Sequence, residues 1–184
     1  SEGHIVLGQK LAKKYSVEKH CRFLAMPAEK LELPSGTYDF VFGNGVLHHV
    51  DIIKTSEEIY RVLKPGGKGV FIDPLAYNPV IEIYRHVAKE IRTTMERPLK
   101  FSDLDPFRKI FPKVSHREFE LFSLLIFIYM FMSGVNPNRV RYWKAILNPK
   151  GFFKNLLQFL IAIDNFVLKF IPSLRYFCWN IVTI

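Results

Sequence analysis

Cysteine is scarce in this chain, which has only two among its 184 residues. Cys21 and Cys178 lie far apart, outside any CxxC motif and without a histidine at metal-ligand spacing. This pattern excludes a disulfide framework and predicts no metal site. Because unpaired thiols persist in a reducing compartment, we expect a cytoplasmic protein.

Long apolar runs are also missing. The most apolar window, residues 121–132, is shorter than the roughly 20 residues that a bilayer-spanning helix needs, so no transmembrane helix is predicted. The chain also lacks a charged stretch followed by a short apolar run and a small-residue cleavage site. A secretory signal is therefore not expected.

Acidic residues are outnumbered by basic ones. The 26 Lys and Arg against 17 Asp and Glu give a formal charge of +9, which favours nucleic acid, phospholipid headgroups or a phosphorylated substrate as partners. The basic residues do not interleave with aromatic ones in a compact patch, which argues against nucleic acid. With 49% hydrophobic and 15% aromatic residues, the composition predicts a folded core and excludes a disordered tail.

Apolar periodicity and turn residues divide the chain into alternating helices and strands. Such alternation implies βαβ crossovers and a doubly wound parallel sheet. The run at residues 38–42 is almost continuously apolar, which is typical of a strand covered on both faces, and KPGG at residues 64–67 is typical of a turn. We expect helices over residues 1–14, 56–63, 79–95, 99–111 and 152–170, and strands over 21–25, 38–42, 69–73, 114–122 and 176–184.

Three motifs in residues 33–73 carry a family resemblance: YDFV, VLHHV and RVLKPGG, followed by a strand that ends in Asp73. In this combination the chain resembles the type 11 branch of the class I S-adenosylmethionine-dependent methyltransferases. The resemblance covers residues 1–79 well and extends more loosely to the end of the chain. It implies S-adenosylmethionine as cofactor and methyl transfer by in-line displacement, with no metal and no covalent intermediate.

The resemblance also implies a domain organisation. We expect an α/β fold with a doubly wound, Rossmann-like, mostly parallel sheet that lacks the first strand–helix–strand unit. Residues 1–123 would be the C-terminal part of the methyltransferase core, 124–175 a helical apolar insert or cap, and 176–184 the last core strand. No GxGxG turn occurs, so we expect an N-terminally truncated fragment that is inactive alone, or a degenerate relative that binds without catalysing.

Two loops match the cofactor-binding positions of the family. Met26, Pro27 and Ala28 take the place of the loop that clasps adenine, but Pro27 stands where the family often has an aspartate, so that side-chain hydrogen bond is absent. Gly43, Asn44 and Gly45 would let the backbone approach the methionine part of the cofactor. The alternatives are a capped loop at residues 26–29 and a tight turn that requires glycine.

The candidate reactive residues follow these loops. His49 is the candidate general base, because histidine titrates near physiological pH, while packing or helix capping is the alternative role for His48 and His49. Asp73, at the end of its strand, and Tyr77, just beyond it, are the candidate substrate contacts.

The apolar segment before the last strand suggests the acceptor and the surroundings. Residues 134–184 contain seven Lys or Arg and one acid, and many aromatic residues. We therefore expect a small, lipophilic acceptor and peripheral contact with an anionic membrane at its inner face. The alternatives are packing on the sheet or on a partner subunit, and a peripheral membrane adaptor.

A nicotinamide-dependent reductase is disfavoured because no Tyr–Lys pair is found. The oligomeric state is left open.

Overall fold

The computed structural model describes residues 2–91 and 97–184. Eleven α-helices and strands are found there, joined by loops and short 3₁₀ helices. In chain order they are α1 (Glu2–Lys14), β1 (Tyr38–Asn44), α2 (Ile52–Val62), β2 (Leu63–Pro74), α3 (Pro79–Val87), α4 (Asp105–Ile110), β3 (His116–Phe119), α5 (Leu125–Met132), α6 (Trp143–Leu147), α7 (Phe152–Phe170) and β4 (Asn180–Thr183).

The four strands form one sheet in the order β1-β2-β4-β3. β1 and β2 are parallel and joined through α2, while β4 runs antiparallel to both of its neighbours. β1, β2 and β3 therefore point in one direction, with the reversed β4 between β2 and β3. This arrangement confirms the Rossmann-like α/β fold with an open sheet, in which three of the four strands run in one direction although two of the three strand pairs are antiparallel. α5 to α7 form the helical insert that precedes the last strand.

The strand predicted over residues 21–25 is not formed. β1 pairs with β2 on one side, and its other edge has no strand beside it in the part of the chain that the structure describes. Backbone donors and acceptors of a strand need a partner ladder, so an apolar run without such a partner stays a loop. The prediction for this segment was wrong for that reason.

β1 is less covered than its composition predicts. Phe40 and Phe42 are 53% and 58% exposed, so the expectation of a strand buried on both faces is wrong. Side chains two apart lie on the same face of a strand. The apolar run in β1 thus reflects strand propensity rather than two-sided burial.

Helix α2 starts earlier than predicted because Asp51 caps it. The Asp51 carboxylate accepts hydrogen bonds from the backbone N–H groups of Ile53 and Lys54, at 3.1 and 3.2 Å. At the other end, the predicted KPGG turn lies inside β2 as a bulge. Tyr38 pairs with Leu63, yet Phe40, two residues on, pairs with Lys68.

The predicted helix over residues 79–95 is shorter in the structure. α3 ends at Val87 and a 3₁₀ helix, Lys89–Ile91, follows, while residues 92–96 lie outside the described part of the chain. The two C-terminal strands are also shorter than predicted. β3 ends at Phe119 because Glu120 adopts a left-handed φ of 65°, and a 3₁₀ helix, Pro172–Phe177, replaces the start of the last predicted strand.

Two hydrophobic clusters stabilise the fold. The first packs α2 and α4 against the sheet and includes Ile59, Phe71, Leu75 and Phe107. The second joins α3 to the insert through side chains of α3, α5, α6 and α7. Its buried members are Ile81, Leu124, Ile126, Phe127, Tyr142, Ile146, Leu157 and Leu160.

A buried carboxylate ties the insert to the sheet. Asp164, in α7, is 4% exposed and accepts hydrogen bonds from the backbone N–H groups of Leu121 and Phe122, at 3.0 and 2.7 Å. Burial raises the pKa of the Asp164 carboxyl. Both cysteines are free, and burial raises the pKa of the Cys178 thiol to about 12, which keeps it unreactive.

A second ionic network fixes the loop before β1. The Arg61 guanidinium donates two hydrogen bonds to the Glu58 carboxylate, at 2.8 and 2.7 Å, and others to the carbonyl oxygens of Leu31 and Leu33, both at 2.8 Å. Glu58 also accepts from the backbone N–H of Leu31, at 2.6 Å. The side-chain hydrogen bond from Arg61 is the main reason that the pKa of Glu58 falls from 4.5 to about 2.

This network predicts a loss of stability in acid. Since the pKa of Glu58 is lower in the folded chain, its contribution is complete above pH 4.5 and is lost as the pH falls from 4.5 toward 2. We expect Glu58→Gln to be less stable at neutral pH and to lack this part of the pH dependence in urea-unfolding curves. Glu57→Gln, an exposed neighbour on α2, is the control and should behave like the wild type. If Glu58→Gln follows the wild-type pH profile, the network does not stabilise the fold.

Candidate functional site

The candidate site lies at the carboxyl edge of β1 and β2. Parallel strands end at the same edge of a sheet, and open α/β sheets bind their ligands outside that edge. β1 ends in Gly43 and Asn44 and β2 ends in Asp73 and Pro74. The N–H of Gly45 donates to the carbonyl oxygen of Ile72 at 2.8 Å, which keeps the loop after β1 against β2.

Gly43 and Gly45 are each required to be glycine, but for different structural reasons. Gly43 lies opposite Phe71, and a Cβ on Gly43 would stand 2.5 Å from the Phe71 ring, so the ring requires glycine there. Gly45 has a left-handed φ of 65°, as the predicted tight turn requires. A Cβ at Gly45 would meet only the His48 ring, at 3.5 Å.

A buried His–Asp pair occupies this edge. Nδ1 of His48 lies 2.7 Å from Oδ1 of Asp73, and the backbone N–H of His48 donates to the same oxygen at 3.3 Å. Since a carboxylate only accepts, Nδ1 carries the hydrogen. His48 and Asp73 are 8% and 1% exposed. Among the described residues, the other Asp73 oxygen is buried without a hydrogen-bond partner, which is uncommon for a buried polar atom.

The sequence pointed first to His49 rather than to its neighbour. His49 is exposed, and its ring lies 3.9 Å from the His48 ring, centroid to centroid. The structure therefore brings Asp73 together with His48 and places His49 on the outer side of that pair. Neighbouring parallel strands both end here, so a histidine just after one strand and an acid ending the next could have indicated the contact.

The loop with Met26, Pro27 and Ala28 lies beside the same edge. Met26 and Ala28 are half-buried and Pro27 is exposed. The next residue, Glu29, accepts a hydrogen bond from the backbone N–H of Asp51 at 3.1 Å, which places the loop next to the start of α2. Met26 also borders an open cavity of about 390 Å³ between this loop and α1.

Tyr77 connects the edge to the C-terminal segment. Its hydroxyl accepts a hydrogen bond from the backbone N–H of Phe101 at 3.0 Å, and its ring stacks on Phe101 with centroids 5.3 Å apart. The Tyr176 ring packs edge-on at 5.8 Å. Tyr77 is thus held by packing, and its contact with a substrate stays a prediction.

An apolar groove of about 170 Å³ runs between α3 and α5. α3 begins five residues after β2 ends. Ile83 and Phe131, 65% and 58% exposed, form its rims. It is lined by Val80, Ile83, Tyr84, Val87, Phe127, Ile128, Phe131, Pro137 and Tyr142.

Two kinds of site are not found in the described residues. No cluster of three His, Cys, Asp or Glu side chains there has the geometry to hold a metal ion. Within the same residues, no helix is long and apolar enough to cross a membrane.

Comparison with known proteins shows which proteins this chain resembles. A family model described as a methyltransferase domain matches residues 5–71. Over 102 residues the chain is 32% identical to the demethylmenaquinone methyltransferase of Lactococcus lactis, a match that covers 54% of this chain and 36% of that protein. The chain therefore spans about a third of the length of this relative.

Solved structures show the same fold at low sequence identity. The YcgJ protein of Bacillus subtilis superposes with a TM-score of 0.55 at 15% identity, over 100% of this chain and 78% of that one. The geranyl diphosphate C-methyltransferase of Streptomyces coelicolor, solved with S-adenosyl-L-homocysteine, has a TM-score of 0.56 at 14% identity, over 99% and 57% of the two chains.

Proposed function

We propose that this chain is a member of the type 11 family of class I S-adenosylmethionine-dependent methyltransferases and serves methyl transfer to a small, lipophilic acceptor. The observation that supports the acceptor class is the groove between α3 and α5, whose lining is entirely apolar or aromatic. A site of this kind accepts a hydrocarbon chain and contributes little to binding a charged substrate.

The described residues fit one side of an S-adenosylmethionine site. At Gly45 an added Cβ would meet only the ring of His48, and half-buried Met26 offers an apolar side chain in the neighbouring loop. Gly43 to Gly45 would hold the methionine part, and Met26 to Ala28 the adenine. Because Pro27 has no acceptor in its side chain, recognition of the adenine amine would rest on backbone groups. When bound, the cofactor supplies the methyl group on its sulfonium.

The residues of the chain position the acceptor and accept the proton that its nucleophile loses. Holding the acceptor in line with the leaving group supplies much of the rate in such displacements. The Asp73 carboxylate fixes the His48 ring, and His48 in turn supports the ring of His49. The exposed His49 would accept the proton of the nucleophile, and half-buried Tyr77 would form part of the wall against which the acceptor lies. Asp73 is 1% exposed, so the predicted substrate contact of its side chain is replaced by its contact with His48.

The acceptor proposal is tested with tritium-labelled S-adenosylmethionine and a lipid extract. We expect label from the full-length protein to partition into the organic phase. Ile83→Glu places a charge on the rim of the groove and should lower this transfer about tenfold, because a desolvated charge opposes an apolar chain. Cofactor binding by equilibrium dialysis should stay unchanged, since Ile83 lies outside the cofactor loops.

Ile53→Glu is the matched control. Ile53 is as exposed as Ile83, 59% against 65%, but lies on α2, away from the groove. It should transfer label like the wild type. Label that appears only in water-soluble products, or an Ile83→Glu protein as active as the control, would contradict a lipophilic acceptor in this groove.

A further inference from the structure

We infer that helix α7 docks this protein on an anionic lipid surface through a row of exposed phenylalanines. The row, called here the phenylalanine ridge, consists of Phe152, Phe159, Phe166 and Phe170. The inference goes beyond methyl transfer, because it depends on the surface of the insert and not on the groove or the cofactor loops.

The ridge is a regular feature of the helix. Its first three members recur every seventh residue and Phe170 follows four residues later, so all four lie on one side of α7. They are 70%, 63%, 66% and 65% exposed. The rings of Phe166 and Phe170 touch, with centroids 4.9 Å apart, which makes the end of the ridge a continuous apolar surface.

The ridge is separate from the face by which α7 packs. Leu157, Leu160 and Leu168 are buried and hold the helix on the protein. At 3.6 residues per turn, this buried face points about 140° away from the ridge. An amphipathic helix needs only one apolar face to pack, so the core does not account for four further phenylalanines.

Neighbouring aromatic residues extend this apolar surface toward α5. Phe153 packs against both Phe152 and Tyr129, with ring centroids 6.0 and 5.8 Å apart. Tyr129 is 55% exposed and Met132, at the end of α5, is 82% exposed. The apolar area therefore spans two helices, as an interfacial site requires.

The charge of the surrounding segment indicates which kind of surface the phenylalanine ridge binds. In residues 134–184 the one acidic residue, Asp164, is buried and accepts from backbone N–H groups. Lys169 lies beside the ridge, with Nζ 5.8 Å from the centre of the Phe170 ring. An apolar face on a segment whose exposed charges are all basic is complementary to anionic headgroups over acyl chains. The exposed basic residues are Arg139, Arg141, Lys144, Lys150, Lys154, Lys169 and Arg175.

The same charge argues against a second copy of the chain as the occupant. A symmetric contact through the ridge would bring Lys169 of each copy close to the basic residues of the other. Like charges at an interface disfavour association. A lipid surface offers both an apolar interior and a negative boundary, and so matches both features.

Vesicle flotation of the full-length protein tests the inference. We expect co-flotation with vesicles of phosphatidylcholine and phosphatidylglycerol, and much less with phosphatidylcholine alone. Replacing Phe159 and Phe166 with serine should lower partitioning roughly tenfold or more, because two large apolar side chains no longer enter the lipid. Replacing Lys169 with glutamine should lower it about fivefold on the anionic vesicles.

The matched control replaces Leu7 and Ile53 with serine. These side chains are 53% and 59% exposed but lie on α1 and α2. The control should float like the wild type, and circular dichroism checks that all variants are folded. No flotation with anionic vesicles, or flotation unchanged in the phenylalanine variant, would overturn the inference. So would a dimer, in ultracentrifugation without lipid, that the phenylalanine variant loses, because the ridge would then be covered by a second copy.

Discussion

Replacing Asp73 with alanine is expected to lower the free energy of unfolding by about 3 kcal/mol. The substitution leaves the ring N–H of His48 and its backbone N–H without the carboxylate that both donate to, at 2.7 and 3.3 Å. Both groups are shielded from water, so neither recovers a full hydrogen bond. Urea unfolding at neutral pH, followed by circular dichroism, measures the effect.

Asp39→Ala provides the matched control. Asp39 lies on the adjacent strand and pairs with Lys64 at 2.8 Å, nearly the distance of the Asp73 pair, but Asp39 is 82% exposed. Exposed ion pairs contribute little to stability, so this variant should unfold like the wild type. If Asp73→Ala is no more destabilising than Asp39→Ala, the buried pair does not organise this edge.

A double-mutant cycle with His48→Ala separates the pair from its surroundings. If the two side chains stabilise the fold through each other, the double variant should lose less than the sum of the single variants, with a coupling of about 1.5 kcal/mol or more. Additive losses would mean that each residue contributes only through its own packing. In that case the ring position of His48 would not depend on Asp73.

The sequence predicts those elements whose causes are local. Helix α7 spans the predicted residues 152–170, because its periodic buried leucines lie within that segment and Gly151 directly precedes it. The strands β1 and β2 are found for similar reasons, since short apolar runs there are bounded by turn residues. The rest of the fold prediction depended on the family resemblance.

Non-local causes account for what the sequence did not predict. A strand at residues 21–25 needs a neighbouring strand to pair with, and the composition of the segment does not show whether such a neighbour exists. The pairing of His48 with Asp73 joins residues 25 apart through the register of two strands. The sequence placed Gly43 at the site but could not show that Phe71 is what requires it, because the two meet only across the sheet.

Replacing Gly43 with alanine is expected to destabilise the fold by about 1–2 kcal/mol. The added Cβ would stand 2.5 and 2.7 Å from two atoms of the buried Phe71 ring, so the ring or the strand must move. Overpacking of this kind typically costs about 1–3 kcal/mol, and the smaller conformational freedom of alanine in the unfolded chain offsets part of it. Urea unfolding of the variant measures the net change.

Two further variants isolate the contact between Gly43 and Phe71. Gly69 lies on the other side of the same ring, where a Cβ would come no closer than 3.1 Å, so Gly69→Ala should change stability much less. In a Phe71→Leu background the ring is absent and the penalty of Gly43→Ala should disappear, because only the gain from the unfolded chain remains. A penalty that persists in that background would show that the backbone of β1, and not the Phe71 ring, requires glycine at this edge.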